Sequence, residues 1–272
     1  MSETAKQQNG PTLGGSSGAS ATVRPVTASA AVLLAPNPGP MTLEGTNTWV
    51  LRAPGAAGGG PAVVVDPGPL TEQHLVAVAA AGPVELILLT HGHSDHSAGA
   101  PRLAELTGAP VLALDTAYGH PLPVGEDLTA AGVRLTVIAT PGHSADSVSF
   151  YLPSDDAVLT GDTILGRGTT VVAHPDGRLG PYLDSLRRLR EYGDAALLPG
   201  HGPELPAAGK VAQAYLDHRA DRLEEVRRAT EAGASTPREV VEIVYADVDE
   251  RLWPAAELSV RATLDYLRDG PA

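Results

Sequence analysis

The chain is 272 residues long, 43% of them hydrophobic, and carries a formal net charge of −13 at pH 7. This length and composition predict a globular protein with one large domain and a small addition, and the negative charge argues against a broad nucleic-acid-binding surface. The sequence contains no cysteine. Disulfides are therefore excluded, and any metal ion must be held by nitrogen and oxygen ligands.

The N-terminal region has the composition of a disordered segment. Residues 1–27 are rich in Gly, Ser, Ala, Thr and Gln, and such a stretch buries too little apolar surface to offset the entropy of ordering. Residues 1–10 lack the apolar core of a secretory signal, and no apolar run reaches membrane-spanning length. We therefore expect a disordered tail at 1–27 and a cytoplasmic protein that does not enter a membrane.

The following part of the chain alternates strand-like apolar runs with fewer helical patterns. Short runs of Val, Leu and Ile bounded by Gly, Pro or Asp predict strands, and 3.6-residue periodicity predicts helices. The predicted strands are 47–51, 62–65, 84–89, 111–114, 133–138, 147–152, 157–160 and 195–198, and the predicted helices are 71–81, 98–106 and 181–192. This alternation indicates an α/β domain.

The pattern becomes helical from Leu205 onward. Helices are predicted at 210–232, 236–245 and 255–268, the second of which begins with a capping box and a proline at its first helical position. Residues 205–272 carry nine lysines and arginines against thirteen acidic residues, a net of −4. The C-terminal part is therefore predicted to be a small, acidic helical appendage.

A cluster of potential metal ligands directly follows the predicted strand at 84–89. The stretch His-Gly-His-Ser-Asp-His at 91–96 offers three imidazoles and one carboxylate. If the chain stays extended, His91, His93 and Asp95 point the same way, whereas a turn into the next helix moves His96 to a neighbouring point. Histidine and aspartate are suitable ligands for Zn²⁺, so one loop could serve two adjacent metal positions.

Four further motifs follow predicted strands in the same way. They are Asp66 in Val-Val-Asp-Pro-Gly, His143 in Thr-Pro-Gly-His-Ser, Asp162 in Thr-Gly-Asp-Thr, and His201 in Pro-Gly-His-Gly-Pro. Together with the cluster at 91–96, this pattern resembles the metallo-β-lactamase superfamily. The resemblance implies a four-layer αββα sandwich as a catalytic domain at 28–204.

The resemblance also implies a role for each motif residue. The first metal would be held by His91, His93 and His143, and the second by Asp95, His96 and His201, with Asp162 between them. Asp66 would orient a ligand histidine through that histidine's other nitrogen. Two Zn²⁺ ions per chain are expected, with Fe or Mn as alternatives for the same nitrogen and oxygen ligands.

Several stretches outside the ligands are similar to the β-lactamase-like protein 2 group. They include residues 37–49, 166–172 and 182–186 and the helix that carries His218 and Arg219. Members of that group include single-stranded-RNA endoribonucleases, and related proteins are thioesterases. The appendage departs from the group's winged-helix pattern, because no residues remain for a wing hairpin after the third predicted helix. We therefore interpret it as a truncated winged-helix-like region.

Three functions are compatible with this pattern. The leading one is hydrolysis of a small-molecule or carrier-bound acyl thioester or ester by a metal-bridging hydroxide, with Asp95 and Asp162 as catalytic residues. The acidic appendage disfavours the alternative, an endoribonuclease acting on single-stranded RNA, because phosphate binding draws on Lys and Arg. The third possibility, from another class, is a non-catalytic metal- or nucleic-acid-binding module, which the complete ligand set disfavours.

The remaining histidines and one arginine give weaker predictions. Arg167 could meet a negatively charged substrate, and an ordinary surface arginine is an equal alternative. His174 lies in a loop that could border the substrate, but a solvated side chain is the favoured interpretation. His74 and His120 are expected to be solvated. His218 is expected to form a hydrogen bond between its helix and the body of the domain.

Overall fold

The computed structural model describes residues 23–56 and 59–270. Within these ranges the chain forms strands, helices and one short 3-10 helix, Glu250–Leu252. The strands are β1 (Arg24–Pro25), β2 (Ala30–Leu34), β3 (Asn47–Leu51), β4 (Ala62–Val65), β5 (Val84–Leu88), β6 (Val111–Ala113), β7 (His120–Pro121), β8 (Asp127–Ala130), β9 (Val133–Ala139), β10 (Val148–Leu152), β11 (Ala157–Gly161) and β12 (Ala196–Pro199). The helices are α1 (Glu72–Ala80), α2 (Ser94–Ser97), α3 (Ala100–Thr107), α4 (Leu179–Arg190), α5 (Ala208–Glu231), α6 (Pro237–Val244) and α7 (Trp253–Asp269).

The first sheet contains β1 to β7 in chain order. Its first four strands pair antiparallel, and its strands from β4 to β7 pair parallel. Parallel neighbours need a crossover, and helices provide it between β4 and β5 and between β5 and β6. The carboxyl ends of β4 and β5 therefore lie side by side, which brings the loops after them together.

The second sheet has the strand order β12-β11-β10-β9-β8. All neighbours are antiparallel except β11 and β12, which are parallel and joined through α4. As a result β9, β11 and β12 run in the same direction. The three loops that follow them share one edge of this sheet.

Apolar side chains separate the molecule into four layers. A buried cluster that includes Trp49, Leu88 and Phe150 lies between the two sheets. A second cluster packs the outer face of the first sheet against α1 and α3, and a third packs the outer face of the second sheet against α4 and α5. The predicted αββα sandwich is therefore confirmed.

Helices α5, α6 and α7 form the appendage around a small core of valines and alanines. The predicted capping box is confirmed: Thr236 Oγ1 accepts from the Glu239 backbone N–H, and the Glu239 carboxylate accepts from the Thr236 N–H. The 24-residue helix α5 also packs along α4. None of the described helices combines the length and the apolar character that a bilayer-spanning segment requires.

The structure corrects several sequence-based expectations. Disorder through residue 27 is wrong for residues 23–27, because β1 pairs with β2 and the Thr27 hydroxyl donates to Asp155. Residues 1–22 lie outside the described ranges. Strands β1, β2, β7 and β8 were not predicted, and a separate short helix, α2, precedes the predicted helix that starts near residue 98.

Candidate metal centre

All the predicted ligand residues lie in the segments that directly follow strand ends, and Asp95 and His96 belong to the short helix α2 in one of them. His91 follows β5, His143 follows β9, Asp162 follows β11 and His201 follows β12, so each loop starts from a fixed strand. The chain is extended only as far as His93, because α2 begins at Ser94. The predicted common direction of His91, His93 and Asp95 is therefore wrong for Asp95, which the first turn of α2 carries elsewhere.

His91, His93 and His143 form one group of ring nitrogens. His91 Nε2 lies 3.0 Å from His93 Nδ1, and the same His93 nitrogen lies 2.9 Å from His143 Nε2. The three nitrogens all lie within 4.8 Å of one another. Three nitrogens at such spacing can occupy neighbouring positions around one cation.

Asp95, His96 and His201 form a second group. Asp95 Oδ2 is 3.1 Å from His201 Nε2 and 3.6 Å from His96 Nε2, and the two Nε2 atoms are 3.2 Å apart. One turn of α2 places Asp95 and His96 next to each other here. The stretch 91–96 thus contributes to both groups, as expected from its sequence.

Asp162 lies between the two groups. Its Oδ1 is 3.3 Å from His96 Nε2, and its Oδ2 is 3.4 Å from His201 Nε2 and 3.8 Å from His143 Nε2. Oδ1 is buried and has no hydrogen-bond partner among the described residues. A buried carboxylate oxygen without a donor is costly. A cation would remove that cost, so the residues present fit a metal centre.

Other atoms of the protein fix the orientation of the histidine rings. The Nδ1 atom of His96 contacts Asp66 Oδ2 at 2.8 Å, that of His143 the Val171 carbonyl at 2.7 Å, and that of His201 the Gly45 carbonyl at 3.1 Å. Because these partners accept, each ring donates its Nδ1–H to them and turns Nε2, the nitrogen that would bind a cation, toward the cluster.

Asp66 itself is held firmly. It accepts hydrogen bonds from the Thr90 backbone N–H at 2.8 Å and from the Thr90 hydroxyl at 2.7 Å, and it is buried. These bonds direct its remaining interaction toward His96. This contact is the one that the resemblance implied for Asp66, which orients a ligand histidine through that histidine's other nitrogen.

The electrostatics favour a positive charge in the centre. Burial opposes ionisation of Asp162, but the positive charges of His96 and His201 outweigh it and hold the pKa of Asp162 well below its usual value. Burial lowers the pKa of His201, yet the Asp162 charge raises it to about 9. Without metal, protons therefore supply the positive charge, and a bound cation would displace them.

The two residues predicted to contact a substrate, Arg167 and His174, lie beside different cavities. Arg167 forms an ion pair with Glu44 and borders the same cavity as His143 and Asp162. His174 does not: its Nε2 is 3.0 Å from Asp265 Oδ2 on α7, and it borders a different cavity. The loop of His174 turns the ring toward the last helix and away from the cavity beside Asp162, and its contact with a substrate stays a prediction.

Two histidines expected to play ordinary roles are placed unexpectedly. His74 is buried, not solvated, and its Nε2 is 2.9 Å from the Thr48 hydroxyl. His218 makes no hydrogen bond to the described residues of the domain, and it borders the cavity beside Asp162. Only His120 is exposed as predicted.

The cavity beside the cluster has a volume of about 320 Å³ and lies between the catalytic domain and the appendage. His143, Asp162 and the loop 165–171 border it on one side, and residues from α5 and α7 border it on the other. Its wall is mostly apolar. The sequence did not predict that Arg219 and Arg222 line this cavity. The feature that could have indicated it was the similarity of the helix around His218 and Arg219 to the β-lactamase-like protein 2 group.

Comparison with known proteins agrees with this geometry. The family model described as the metallo-β-lactamase superfamily matches residues 41–131 and 113–201, which include every residue of both groups. The chain belongs to the metallo-β-lactamase superfamily. Proteins of this superfamily are generally hydrolases.

Two known relatives align with most of this chain. The β-lactamase-like protein 2 homolog of Caenorhabditis elegans is 32% identical over 256 residues, covering 88% of this chain and 84% of that protein. The atrochrysone carboxyl ACP thioesterase of Aspergillus fumigatus is 32% identical over 252 residues, covering 81% of this chain and 76% of that protein. The predicted similarity to the β-lactamase-like protein 2 group is therefore confirmed.

The appendage also matches known proteins. A model described as a β-lactamase associated winged helix domain matches residues 236–269 of this metallo-β-lactamase superfamily chain, all of which the structure describes as helices and connecting turns. The crystal structure of a β-lactamase domain protein from Burkholderia ambifaria superposes with a TM-score of 0.77 at 21% identity, covering 94% of this chain and 91% of that one. That likeness supports the fold of the described residues, appendage included.

Proposed function

We propose that this protein is a dinuclear metal-dependent hydrolase of acyl thioesters or esters. The single observation that carries the proposal is the position of Asp162, whose buried Oδ1 accepts no hydrogen bond from residues 23–56 and 59–270 and lies between two groups of converging ligand atoms. A buried carboxylate that served only to stabilise the fold would normally accept hydrogen bonds through both of its oxygens. This one is surrounded by imidazole nitrogens instead.

The residues present suit two Zn²⁺ ions. His91, His93 and His143 would hold one, Asp95, His96 and His201 would hold the other, and Asp162 would contribute to both. Imidazole and carboxylate ligands without thiolate also suit Fe and Mn, so elemental analysis of the purified protein has to identify the bound metal. When bound, such ions lower the pKa of water toward neutrality and polarise a carbonyl oxygen.

The chain's own residues have defined tasks in hydrolysis. Overall, the water oxygen bonds to the acyl carbon, the carbon–sulfur or carbon–oxygen bond breaks, and the leaving group takes a proton. Asp95 is suited to carry that proton, because its side chain is 28% exposed whereas His96 and His201 are fully buried. Asp162 has the fixed position and the depressed pKa needed to remain an anion throughout.

Several observations favour an acyl substrate over RNA. The adjoining cavity is mostly apolar, which suits a carbon chain or ring better than a polyanion. A second cavity, which borders His93, is lined by Asp115, Asp146 and Asp176, and these carboxylates would repel a phosphate backbone passing across the centre. One relative of similar length is named a thioesterase, and we extend that activity to this chain as part of the proposal.

The proposal is tested with purified, metal-analysed protein. A panel of acyl thioesters and aryl esters is assayed beside labelled single-stranded RNA, each with and without a chelator. We expect chelator-sensitive release of free thiol or alcohol and about two metal equivalents per chain. Chelator-sensitive RNA cleavage without thioester hydrolysis would instead support the endoribonuclease.

Inactivity on both substrate classes at full metal occupancy would support a non-catalytic metal-binding module. Asp162→Ala provides the inactive comparison. Asp184→Ala, at an exposed carboxylate on α4, provides the matched control that should keep wild-type rates.

A further inference from the structure

Three arginines border the cavity beside Asp162, and they differ in their charge partners. Arg167 pairs with Glu44, and Arg222 pairs with Glu225. For Arg219, no carboxylate forms an ion pair anywhere in residues 23–56 and 59–270, although it is the most buried of the three at 6% exposure. Arg219 is thus a buried cation with no paired anion in the part of the chain that the structure describes.

The protein contacts of Arg219 satisfy only part of its guanidinium. Nη2 donates to the Thr170 carbonyl, and the guanidinium carbon lies 5.0 Å from the centre of the Tyr182 ring. Nε has no hydrogen-bond partner in the described part of the chain. Stacking and one carbonyl do not neutralise a full charge, and a buried unpaired charge is expensive.

Arg219 is also linked to the candidate metal centre through one intervening residue. Thr170, whose carbonyl accepts from Arg219, donates its hydroxyl to the Asp162 carbonyl. One hydrogen-bonded residue therefore links the Arg219 side chain to the backbone of Asp162. A molecule whose reacting carbonyl lies at Asp162 can extend along the same cavity wall toward Arg219.

We propose that the cavity takes an acyl group that carries its own carboxylate, and that Arg219 pairs with that carboxylate. The inference rests on the proposed hydrolase function and specifies its substrate class as acidic acyl thioesters or esters. The apolar wall receives the carbon skeleton, and Arg219 receives the charge. Charge-assisted hydrogen bonds of this kind discriminate by about tenfold or more against a neutral analogue.

A phosphodiester is also an anion, but the surroundings favour a carboxylate on an apolar body. Phosphate backbones are bound by rows of free cations, whereas Arg167 and Arg222 are already paired. The carboxylates of Asp115, Asp146 and Asp176 border the other cavity at the centre. A strand of nucleic acid would meet like charge there.

The test uses matched thioester pairs on the metal-loaded, full-length protein. Butanoyl, hexanoyl and octanoyl thioesters are compared with their succinyl, adipoyl and suberoyl counterparts. We expect wild-type kcat/KM to favour at least one acidic member about tenfold, and Arg219→Gln to reduce that ratio to about one. Arg219→Lys, which keeps the charge, should retain part of the preference.

A purely structural role for Arg219 predicts a different result, because loosening the Thr170 loop would slow both members of each pair equally. Arg228→Gln, at an exposed arginine on the same helix, is the matched control and should leave the ratio unchanged. Equal wild-type rates on every pair, or an unchanged ratio in a folded Arg219→Gln protein, would overturn the inference.

A binding measurement separates this inference from the proposed function. Calorimetry of chelator-treated protein with hexanoate and hexanamide needs no turnover. Tighter binding of hexanoate that is lost in Arg219→Gln supports the acid pocket, even if no thioester is hydrolysed and the hydrolase proposal fails. Equal binding of both ligands overturns it. So does chelator-sensitive RNA cleavage that depends on Arg219, since the anion would then be a phosphodiester.

Discussion

His96 Nδ1 and Asp66 Oδ2 are 2.8 Å apart, and both side chains are buried almost completely. This contact decides which nitrogen of His96 is available. Because Asp66 accepts a hydrogen bond from His96 Nδ1–H, the Nε2 atom of the same ring faces Asp162 and His201. The orientation of the ring is therefore set by a carboxylate that does not itself belong to either ligand group.

Replacing this carboxylate should weaken the centre without removing a ligand. We expect Asp66→Asn to lower the affinity for the second cation about 10- to 100-fold, because an amide holds and polarises the imidazole less well. Competition with a chromogenic chelator measures the affinity. Asp127→Asn, at an exposed carboxylate on β8 that pairs with Arg134, should match wild type. Unchanged affinity in Asp66→Asn would contradict the assigned role.

Removing the central carboxylate should have a larger effect. Asp162→Ala is expected to reduce the metal content from about two equivalents to at most one, because the remaining ligands separate into two unconnected groups. Elemental analysis after gel filtration measures this. A protein that keeps two equivalents and full activity would refute the central position of Asp162.

A single added methyl group should also disturb the centre. A Cβ at Gly200 would lie 2.6 Å from Asp162 Oδ1 and 2.7 Å from His96 Cε1, closer than atoms pack. We expect Gly200→Ala to displace one of these side chains, to cost about 1–3 kcal/mol in stability and to lose the second metal equivalent. Urea unfolding and elemental analysis are the measurements.

The matched control for this substitution is Gly59→Ala, since a Cβ there meets no atom within 4 Å. It should change neither the free energy of unfolding nor the metal content. Full metal occupancy in Gly200→Ala would show that the loop after β12 accommodates the methyl group, contrary to the geometry.

His74 should make stability depend on pH. Burial lowers its pKa to about 4, whereas an unfolded histidine titrates near 6.5. Between these values the unfolded state binds the proton and the folded state does not, so stability is complete above about pH 6.5 and falls toward pH 4. From pH 7 to pH 5 the loss from this residue is about 2 kcal/mol.

The variant His74→Gln cannot titrate and should lose correspondingly less stability over that interval. Urea unfolding of wild type and variant at pH 7 and pH 5 gives the difference, which cancels the contributions of the other histidines. His120→Gln, at an exposed position, should keep the wild-type dependence. Parallel pH profiles for wild type and His74→Gln would contradict a buried neutral imidazole.

The ligand positions were predictable because each belongs to a short motif with local meaning. His91, His143, Asp162 and His201 all follow apolar runs that read as strands, and parallel strands bring their carboxyl ends to one edge. Most of the strands that the sequence missed are too short to give such a signal. Strand β8 has only four residues, with Leu128 and Ala130 as its apolar positions, and it lies at the edge of its sheet because β9 pairs with it.

Contacts between distant residues were not predictable from either partner alone. His74 is buried because Thr48, 26 positions earlier on a neighbouring element, offers a hydroxyl to its ring. His174 turns away from the cluster because Asp265, 91 positions later, meets it. The proposed role of Arg219 follows from its position in the wall of the cavity beside Asp162, which the sequence around it does not encode. In each case the deciding atom belongs to an element whose docking the local pattern does not encode.

The two ligand groups draw their atoms from loops of both sheets, over the interval from residue 91 to residue 201. During synthesis the first loop leaves the ribosome long before the last. His201, the final donor, follows the closing strand of the second sheet, so neither coordination nor its stabilising effect is complete while the N-terminal half is alone. The second ligand group is therefore completed late in synthesis, and a chain that ends before β12 would lack one of its three donors.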